Sequence, residues 1–211
     1  GADGVGRLGS GGGRLALGAA RRELFGLGAG DQHGAPGIGR GAGMRVAVVQ
    51  MKTTLALARQ WAITHRQRTC VVFPGLNDAN RISGYTVFAT NRYATGPGSY
   101  AYVKDWSYLP KGVVIHFAGS DLRTGLQFPN PTSTSQRITA DAVIFLPDGT
   151  IDGSGGSYGS RILLAEGWAN AVTNASGLVS PDYGLVQGGV SQLLRIATHT
   201  GSVKAGFSIN P

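Results

Sequence analysis

Five basic side chains in the middle of the chain have the residue types and spacing that most favour a specific interaction. Four of them recur every seven residues and a fifth follows closely: Arg45, Lys52, Arg59, Arg66 and Arg68. On an α-helix a seven-residue step returns to nearly the same face, so the spacing predicts one slowly drifting basic stripe. Such a stripe either faces solvent or contacts an acidic partner, which is a neighbouring protein subunit or the phosphates of DNA.

Other candidate groups do not have the spacing that catalysis or metal binding requires. The four histidines at positions 33, 65, 116 and 199 lie far apart and form no zinc-binding motif. The run Asp148–Gly153 lacks the third alternating acid and the distal Glu of a calcium loop, so it indicates a hairpin turn. We therefore expect no catalytic residue, no metal, no cofactor and no small-molecule substrate.

An apolar stripe predicts the helix that carries these cations. Its steps alternate between four and three residues through Met44, Val48, Met51, Leu55, Ala58 and Ala62. We expect a helix over at least Thr53–Arg66, with Leu55, Ala58 and Ala62 facing a β-sheet. The β-rich run Thr69–Phe73 follows with no intervening Gly or Pro and stops at Pro74.

The rest of the chain reads as short strands joined by turns and long loops. Residues 119–137 and 167–189 are rich in polar residues, Gly or Pro and are interpreted as mostly loop, and residues 105–112 as a turn. The predicted strands are Tyr85–Thr90, Tyr100–Lys104, Val113–Phe117, Ala142–Leu146, Arg161–Trp168, Leu193–Ala197 and Ser202–Ser208.

Composition divides the chain into a tail and one domain. Residues 1–43 are Gly-rich with no apolar run of membrane-spanning length, and we interpret them as a disordered or artefactual tail. Residues 44–211 are expected to form the globular domain. The net charge is +8, and its densest part lies between Met44 and Asn80, which hold five basic residues and one acid. The single Cys70 excludes an internal disulfide.

Four segments resemble type IV pilin-like proteins, above all the H-type minor pseudopilin of type II secretion and related minor pilins; one of them is the "W-x-x-L-P-x-G-V" passage of Trp106–Val113. Ala58–Thr64, followed by Arg66–Thr69 and a strand, resembles the family's helix-to-strand junction. Phe145–Thr150 resembles its "F-x-P-D-G" hairpin, and Leu194–Lys204 resembles its closing hairpin. The leader, the processing site and the apolar membrane helix of such proteins are not present in this sequence.

The resemblance implies an α+β fold, with one long N-terminal helix packed on an antiparallel β-sheet. It implies a structural subunit that packs against other pilin or pseudopilin subunits at the periplasmic face of the bacterial inner membrane or at the cell surface. Membrane contact would come only through an upstream helix, and the chain itself is expected to be soluble. Two alternatives stay open: a DNA-binding minor pilin, and a secreted or cell-surface β-rich binding domain or enzyme.

Overall fold

One helix and ten strands make up the part of the chain that the computed structural model describes, which is residues 40–75, 83–90, 100–130, 133–153, 161–173 and 179–208. The helix is α1 (Arg40–His65). The strands are β1 (Thr69–Phe73), β2 (Gly84–Thr90), β3 (Tyr100–Tyr108), β4 (Val113–Ile115), β5 (Arg123–Asn130), β6 (Ser133–Phe145), β7 (Arg161–Thr173), β8 (Val179–Leu185), β9 (Ser191–Ile196) and β10 (Val203–Ser208).

The strands form two antiparallel sheets. The first has the order β3-β2-β1-β6-β5. The second has the order β10-β9-β7-β4, and β8 pairs with the C-terminal half of β7. Alternation along β1 and β6 places Val71 and Val143 opposite each other on one face of the first sheet, and Cys70 and Ile144 on the other.

Helix α1 packs its apolar stripe against one face of each sheet, and this contact forms the main core. Met51, Leu55, Ala58 and Ala62 are fully buried. They share a cluster with inward-facing residues of both sheets, including Val71, Phe73, Val87, Phe145, Ile162, Leu164, Leu194 and Ile196. The predicted helix and its buried face are therefore confirmed, and Arg66 is the first residue beyond the helix.

The turn from α1 into β1 is made by an arginine, at a position where proteins commonly have glycine. Arg66 has φ 49°, in the left-handed region. The amide of Gln67 donates to the carbonyl of Ala62 at 3.1 Å, and the amide of Arg66 donates to that of Ile63 at 3.4 Å. This is the Schellman pattern of helix termination. It explains how the helix reaches a strand without the Gly or Pro that usually marks such a boundary.

A second apolar cluster lies on the other face of the first sheet. It contains Cys70, Val72 and Phe88, together with Phe128 of β5. The rings of Tyr100 and Phe128, which belong to the two edge strands, are 4.8 Å apart, so the sheet curves until its edges meet. Burial in this cluster raises the pKa of the Cys70 thiol to about 12.

The predicted α+β pilin-like class, with one helix on one sheet, is wrong. The described part is mostly β, with two antiparallel sheets and a single helix near its N-terminal end. The error arose in the segments interpreted as loop or turn, because β5, the first half of β6, the end of β7 and β8 occupy them, and β3 continues to Tyr108.

These unrecognised strands carry residues that normally argue against a strand. Strand β5 contains Gly125 and Pro129, and β8 contains Pro181 and Gly184. Proline is tolerated on edge strands, where its missing amide hydrogen faces away from the partner. Strand β4 is shorter than predicted and is followed by a 3-10 turn, Phe117–Gly119. The predicted tail, up to residue 39, lies outside the described residues.

Candidate functional site

The face of α1 opposite the core carries a second stripe, which is apolar except for Thr53. Its side chains are exposed and again follow alternating steps of four and three residues: Ala42, Val46, Val49, Thr53 and Ala56. Val46 is 48% exposed and Val49 is 62% exposed. These positions precede those of the buried stripe by two residues, which is a rotation of about 200° around a helix. We call this set the outer seam; sequence reasoning found the buried stripe and missed it.

The basic stripe runs along one side of the outer seam. If Val46 and Val49 take the a and d positions of a heptad, then Arg45 and Lys52 take successive g positions, which flank the contact line in coiled coils. The side chains of Arg45 and Lys52 are exposed. The N-terminal half of α1 therefore presents an apolar line bordered by cations. Leu57, which is 39% exposed, lies at an e position on the other border.

The other three residues of the predicted basic stripe lie in different environments. Arg59 is partly buried, and its Nε donates to the carbonyl of Gly149 at 3.3 Å. Arg68 lies beyond the helix and pairs with Asp152. The side chain of Arg66 is exposed, although its backbone forms the helix terminus. Two of the five predicted interaction residues are thus held by contacts within the domain.

Arg59 is held because two hairpin turns meet beside it. Gly149, with φ 82°, lies in the turn after β6, and Gly201, with φ 62°, lies in the turn between β9 and β10. A Cβ atom on Gly201 would lie 2.2 Å from the Gly149 carbonyl and 2.8 Å from Cδ of Arg59. The amide of Ile151 donates to the carbonyl of Thr198 at 3.0 Å, which joins the two turns.

The turn after β6 is stabilised by Asp148. The amide and hydroxyl of Thr150 both donate to Oδ1 of Asp148, at 2.9 Å and 2.6 Å. These hydrogen bonds favour the charged carboxylate and lower its pKa. The hairpin turn predicted for this run is confirmed. The two turns that carried the family resemblance are neighbours in space.

Asp152 connects three separate segments. Its Oδ2 accepts from Arg68 at 2.5 Å and from Arg123 at 2.8 Å. The Asp152 side chain is 5% exposed, whereas the two arginines are 45% and 36% exposed. A nearly buried carboxylate thus ties the start of β1 to β5 and to the turn region after β6. This arrangement is typical of a structural ion pair, since the carboxylate is closed to solvent.

A second group of cations lies on the second sheet and was missed by sequence reasoning. Arg195 of β9 is opposite Arg161 of β7 and opposite Lys204 of β10. All three side chains are exposed, and Arg161 pairs with Asp121 at 2.8 Å. Like charges directly opposite each other repel, so this row favours an anion. Arg161 is far from the other two positions in the sequence, so the strand register is needed to reveal the whole row.

The hydroxyl of Ser120, which lies close to His116 in the chain, is engaged with backbone groups. The hydroxyl of Ser120 donates to the carbonyl of His116 at 2.8 Å and accepts from the amide of Leu163 at 2.9 Å. It is therefore engaged with backbone groups and not with the His116 ring. His199 is exposed in the turn between β9 and β10. Within the described ranges, no group of three or more His, Cys, Asp or Glu residues could hold a metal ion.

In the part of the chain that the structure describes, no helix combines the length and apolar character needed to cross a bilayer. No protein-family model, curated protein or solved structure matches the chain. The resemblance to pseudopilins stays a prediction that rests on the residues quoted above.

Proposed function

We propose that this chain is a structural subunit of a bacterial filament of the type II secretion or type IV pilus kind. In this proposal its outer seam packs against the helix of a neighbouring subunit. The chain would work at the periplasmic face of the inner membrane or at the cell surface, as part of the filament. The sequence resemblance suggests this kind of assembly, and the outer seam offers a surface for it.

The observation that carries the proposal is a helix that is apolar on two opposite faces. One face is buried in the core, and the other, at Val46 and Val49, is exposed. A single apolar face is sufficient to hold a helix on a domain, so the second one is left over for another molecule. Its four–three spacing matches the contact line of a helix–helix pair.

The charges beside the seam indicate the kind of partner. Helix α1 contains no acidic residue. A second copy packed along the seam would therefore offer no acidic helix residue to Arg45 or Lys52. A helix with Asp or Glu at the flanking positions would satisfy both cations, since such charges decide partner choice in helix pairs. The partner is thus a different subunit, as expected for a minor component of a mixed filament.

The experiment is an export assay in the bacterium that encodes the chain, with Val49→Glu in place of the parent. A carboxylate in the seam loses its hydration on packing, so we expect incorporation into the filament and cargo export to fall at least tenfold. Ala118→Glu is the matched control, because Ala118 is exposed and outside the helix. Both variants should unfold at the parent's temperature.

Export by Val49→Glu at the parent's level would contradict the proposal, provided that immunoblots show equal amounts of the two proteins. The genes beside the coding sequence give a second check. We expect them to encode a secretion ATPase and a prepilin peptidase. Their absence, together with normal export by Val49→Glu, would favour the alternative of a cell-surface binding domain or enzyme.

A second candidate, DNA binding, is favoured by the cation row on the second sheet. Arg161, Arg195 and Lys204 lie side by side on adjacent strands, which are about 4.8 Å apart. A row of this kind can contact successive phosphates, although Asp121 already pairs with Arg161. The net charge of +8 would add weak, sequence-independent attraction.

Binding by the cation row can be distinguished from attraction by the net charge. The experiment titrates labelled duplex DNA at low and at physiological salt. Binding by the row should survive physiological salt, and Arg195→Ala should reduce the salt slope by about one. Arg45→Ala on the helix is the control, since it removes the same charge elsewhere. Equal effects of the two substitutions, or loss of all binding at physiological salt, would leave only net-charge attraction and reject this candidate.

A further inference from the structure

Within the described ranges, the C-terminal half of β7 has a partner strand on one side only. Gly167–Thr173 pairs with β8 along one edge. On the other edge, β4 pairs with residues 164–166, and the last contact is the amide of Gly167 with the carbonyl of Gly112 at 3.1 Å. Beyond that point no strand among the described residues lies beside β7.

The backbone direction of this half-strand follows from its hydrogen bonds. The carbonyl of Glu166 accepts from the amide of Val186, on the β8 side, whereas the amide of Gly167 points to the β4 side. Successive residues of a strand alternate between the two sides. The backbone groups of Ala169, Ala171 and Thr173 therefore point outward from the open edge, where no strand of the described residues pairs with them.

The strand next to it is protected, and the open edge of β7 is not. Pro181 of β8 is opposite Ala171, whose backbone groups point away from β8. The position where Pro181 lacks an amide hydrogen is thus on the outer edge of β8, which blocks strand addition there. Asp182 adds a charge to the same edge.

The other long outer edges of the described sheets also carry charged residues or proline. Natural proteins use such residues to prevent edge-to-edge pairing. The open edge of β7 reads Gly-Trp-Ala-Asn-Ala-Val-Thr and has neither. The protected edges are β3 with Lys104 and Asp105, β5 with Arg123 and Pro129, and β10 with Lys204.

The ribbon of β7 and β8 also differs from the rest of the protein in charge and polarity. Trp168 is 45% exposed and lies over Gly184, where a Cβ atom would come within 2.1 Å of the indole. Asp182 is the one charged residue of the two paired segments, although the whole chain has a net charge of +8. Two copies that meet along this ribbon would bring no cations together there.

We propose that the open edge of β7, from Ala169 to Thr173, binds the same edge of a second copy of this chain. The two strands pair antiparallel about a two-fold axis near Ala171, so the outward backbone groups of each copy satisfy those of the other. An uncharged edge is compatible with itself in this arrangement. The inference is independent of the filament proposal, since it uses a different surface.

Sedimentation measurements over a range of protein concentrations test the proposal. The parent should show a monomer–dimer equilibrium, and Ala171→Lys should raise the dissociation constant at least tenfold by placing two cations opposite each other. Ala171 is exposed, so the fold should be unaffected. Ala205→Lys is the control, because Ala205 is exposed on the β10 edge, and it should dimerise like the parent.

A cysteine variant gives the register directly. Ala171→Cys should form a disulfide-linked dimer on mild oxidation, because directly opposite residues have Cα atoms about 5.5 Å apart. Cys70 is buried and does not compete. Ala205→Cys should stay largely monomeric. A parent that is monomeric at all concentrations, a dimer that Ala171→Lys leaves intact, or open-ended polymers would each overturn the proposal.

Discussion

The two halves of α1 use the same spacing of cations for different purposes. In the C-terminal half, Arg59 contacts the two hairpin turns and Arg66 forms the helix terminus. In the N-terminal half, Arg45 and Lys52 are exposed beside an apolar line that the core does not use. The cations of the C-terminal half help to fix the domain's structure, whereas those of the N-terminal half are available to another molecule. A regular sequence pattern therefore does not imply a uniform role.

If the two halves of α1 differ in this way, substitutions at or around the C-terminal end of the helix should destabilise the domain. Substitutions of the exposed cations in its N-terminal half should not. The largest effect is expected for Gly201→Ala. Its Cβ would overlap the Gly149 carbonyl and meet Arg59, and φ 62° is unfavourable for alanine. We expect a loss of about 3 kcal/mol in the free energy of unfolding.

Urea denaturation measures this loss, and Gly188→Ala is the control. Gly188 has a similar φ of 67°, but no atom lies within 4 Å of its added Cβ. Only the conformational cost of about 1 kcal/mol should appear there. Equal losses at the two glycines would show that the contact of the two turns with Arg59 does not matter for stability.

Asp152→Ala should have the next largest effect. Its carboxylate is nearly buried and accepts from Arg68 and Arg123, both of which are partly exposed. Since the two guanidinium groups can regain water, we expect a loss of about 2 kcal/mol, below that of a fully buried pair. Asp182→Ala, at an exposed position, should change stability by less than about 0.5 kcal/mol. Similar losses of stability for both variants would show that the ion pairs of Asp152 do not stabilise the domain.

Arg59→Ala and Arg45→Ala compare the two halves of the helix directly. Both remove one helix arginine from the basic stripe. Arg59→Ala also removes a hydrogen bond and packing against Gly201, so it should cost about 1 kcal/mol. Arg45→Ala should cost less than about 0.5 kcal/mol. Thermal unfolding of the two variants beside the parent decides the matter, and a reversed order would refute the division of roles.

The smallest effect is expected at the helix terminus and has the opposite sign. Arg66 adopts φ 49°, which glycine accepts without steric cost. Arg66→Gly should therefore stabilise the domain by about 0.5 kcal/mol after the entropy cost of glycine. Thr64→Gly, inside the last helical turn, should destabilise it by about 1 kcal/mol. Destabilisation by Arg66→Gly would mean that its side chain, not its backbone, holds the junction.

The sequence predicted the elements whose pattern is local. The buried stripe of α1, the strand Thr69–Phe73 and the closing hairpin all follow from periodicity and turn residues. The edge strands β5 and β8 were missed, because their Gly and Pro residues are acceptable only where one edge lacks a partner. Their inclusion makes the described part mostly β, whereas the division into two sheets comes from the pairing of strands that were themselves predicted.

The candidate surfaces were predicted only in part, for physical reasons. Heptad spacing identified Arg45 and Lys52, but it could not show that Arg59 meets two distant turns. The row of Arg161, Arg195 and Lys204 depends on the register of three strands, which no local pattern contains. The outer seam was visible in the sequence as Val46 and Val49 at helical spacing. It was overlooked because one apolar stripe already explained the fold.

The most direct test of the account is whether the outer seam is covered when the protein is assembled. Val49→Cys should react fully with a maleimide in the isolated domain, where Cys70 is buried and its thiol, with a pKa of about 12, stays protonated. In bacteria that build the filament, the same cysteine should become protected, whereas Ala118→Cys should stay reactive. Equal labelling of Val49→Cys in the isolated and assembled states would contradict the central claim.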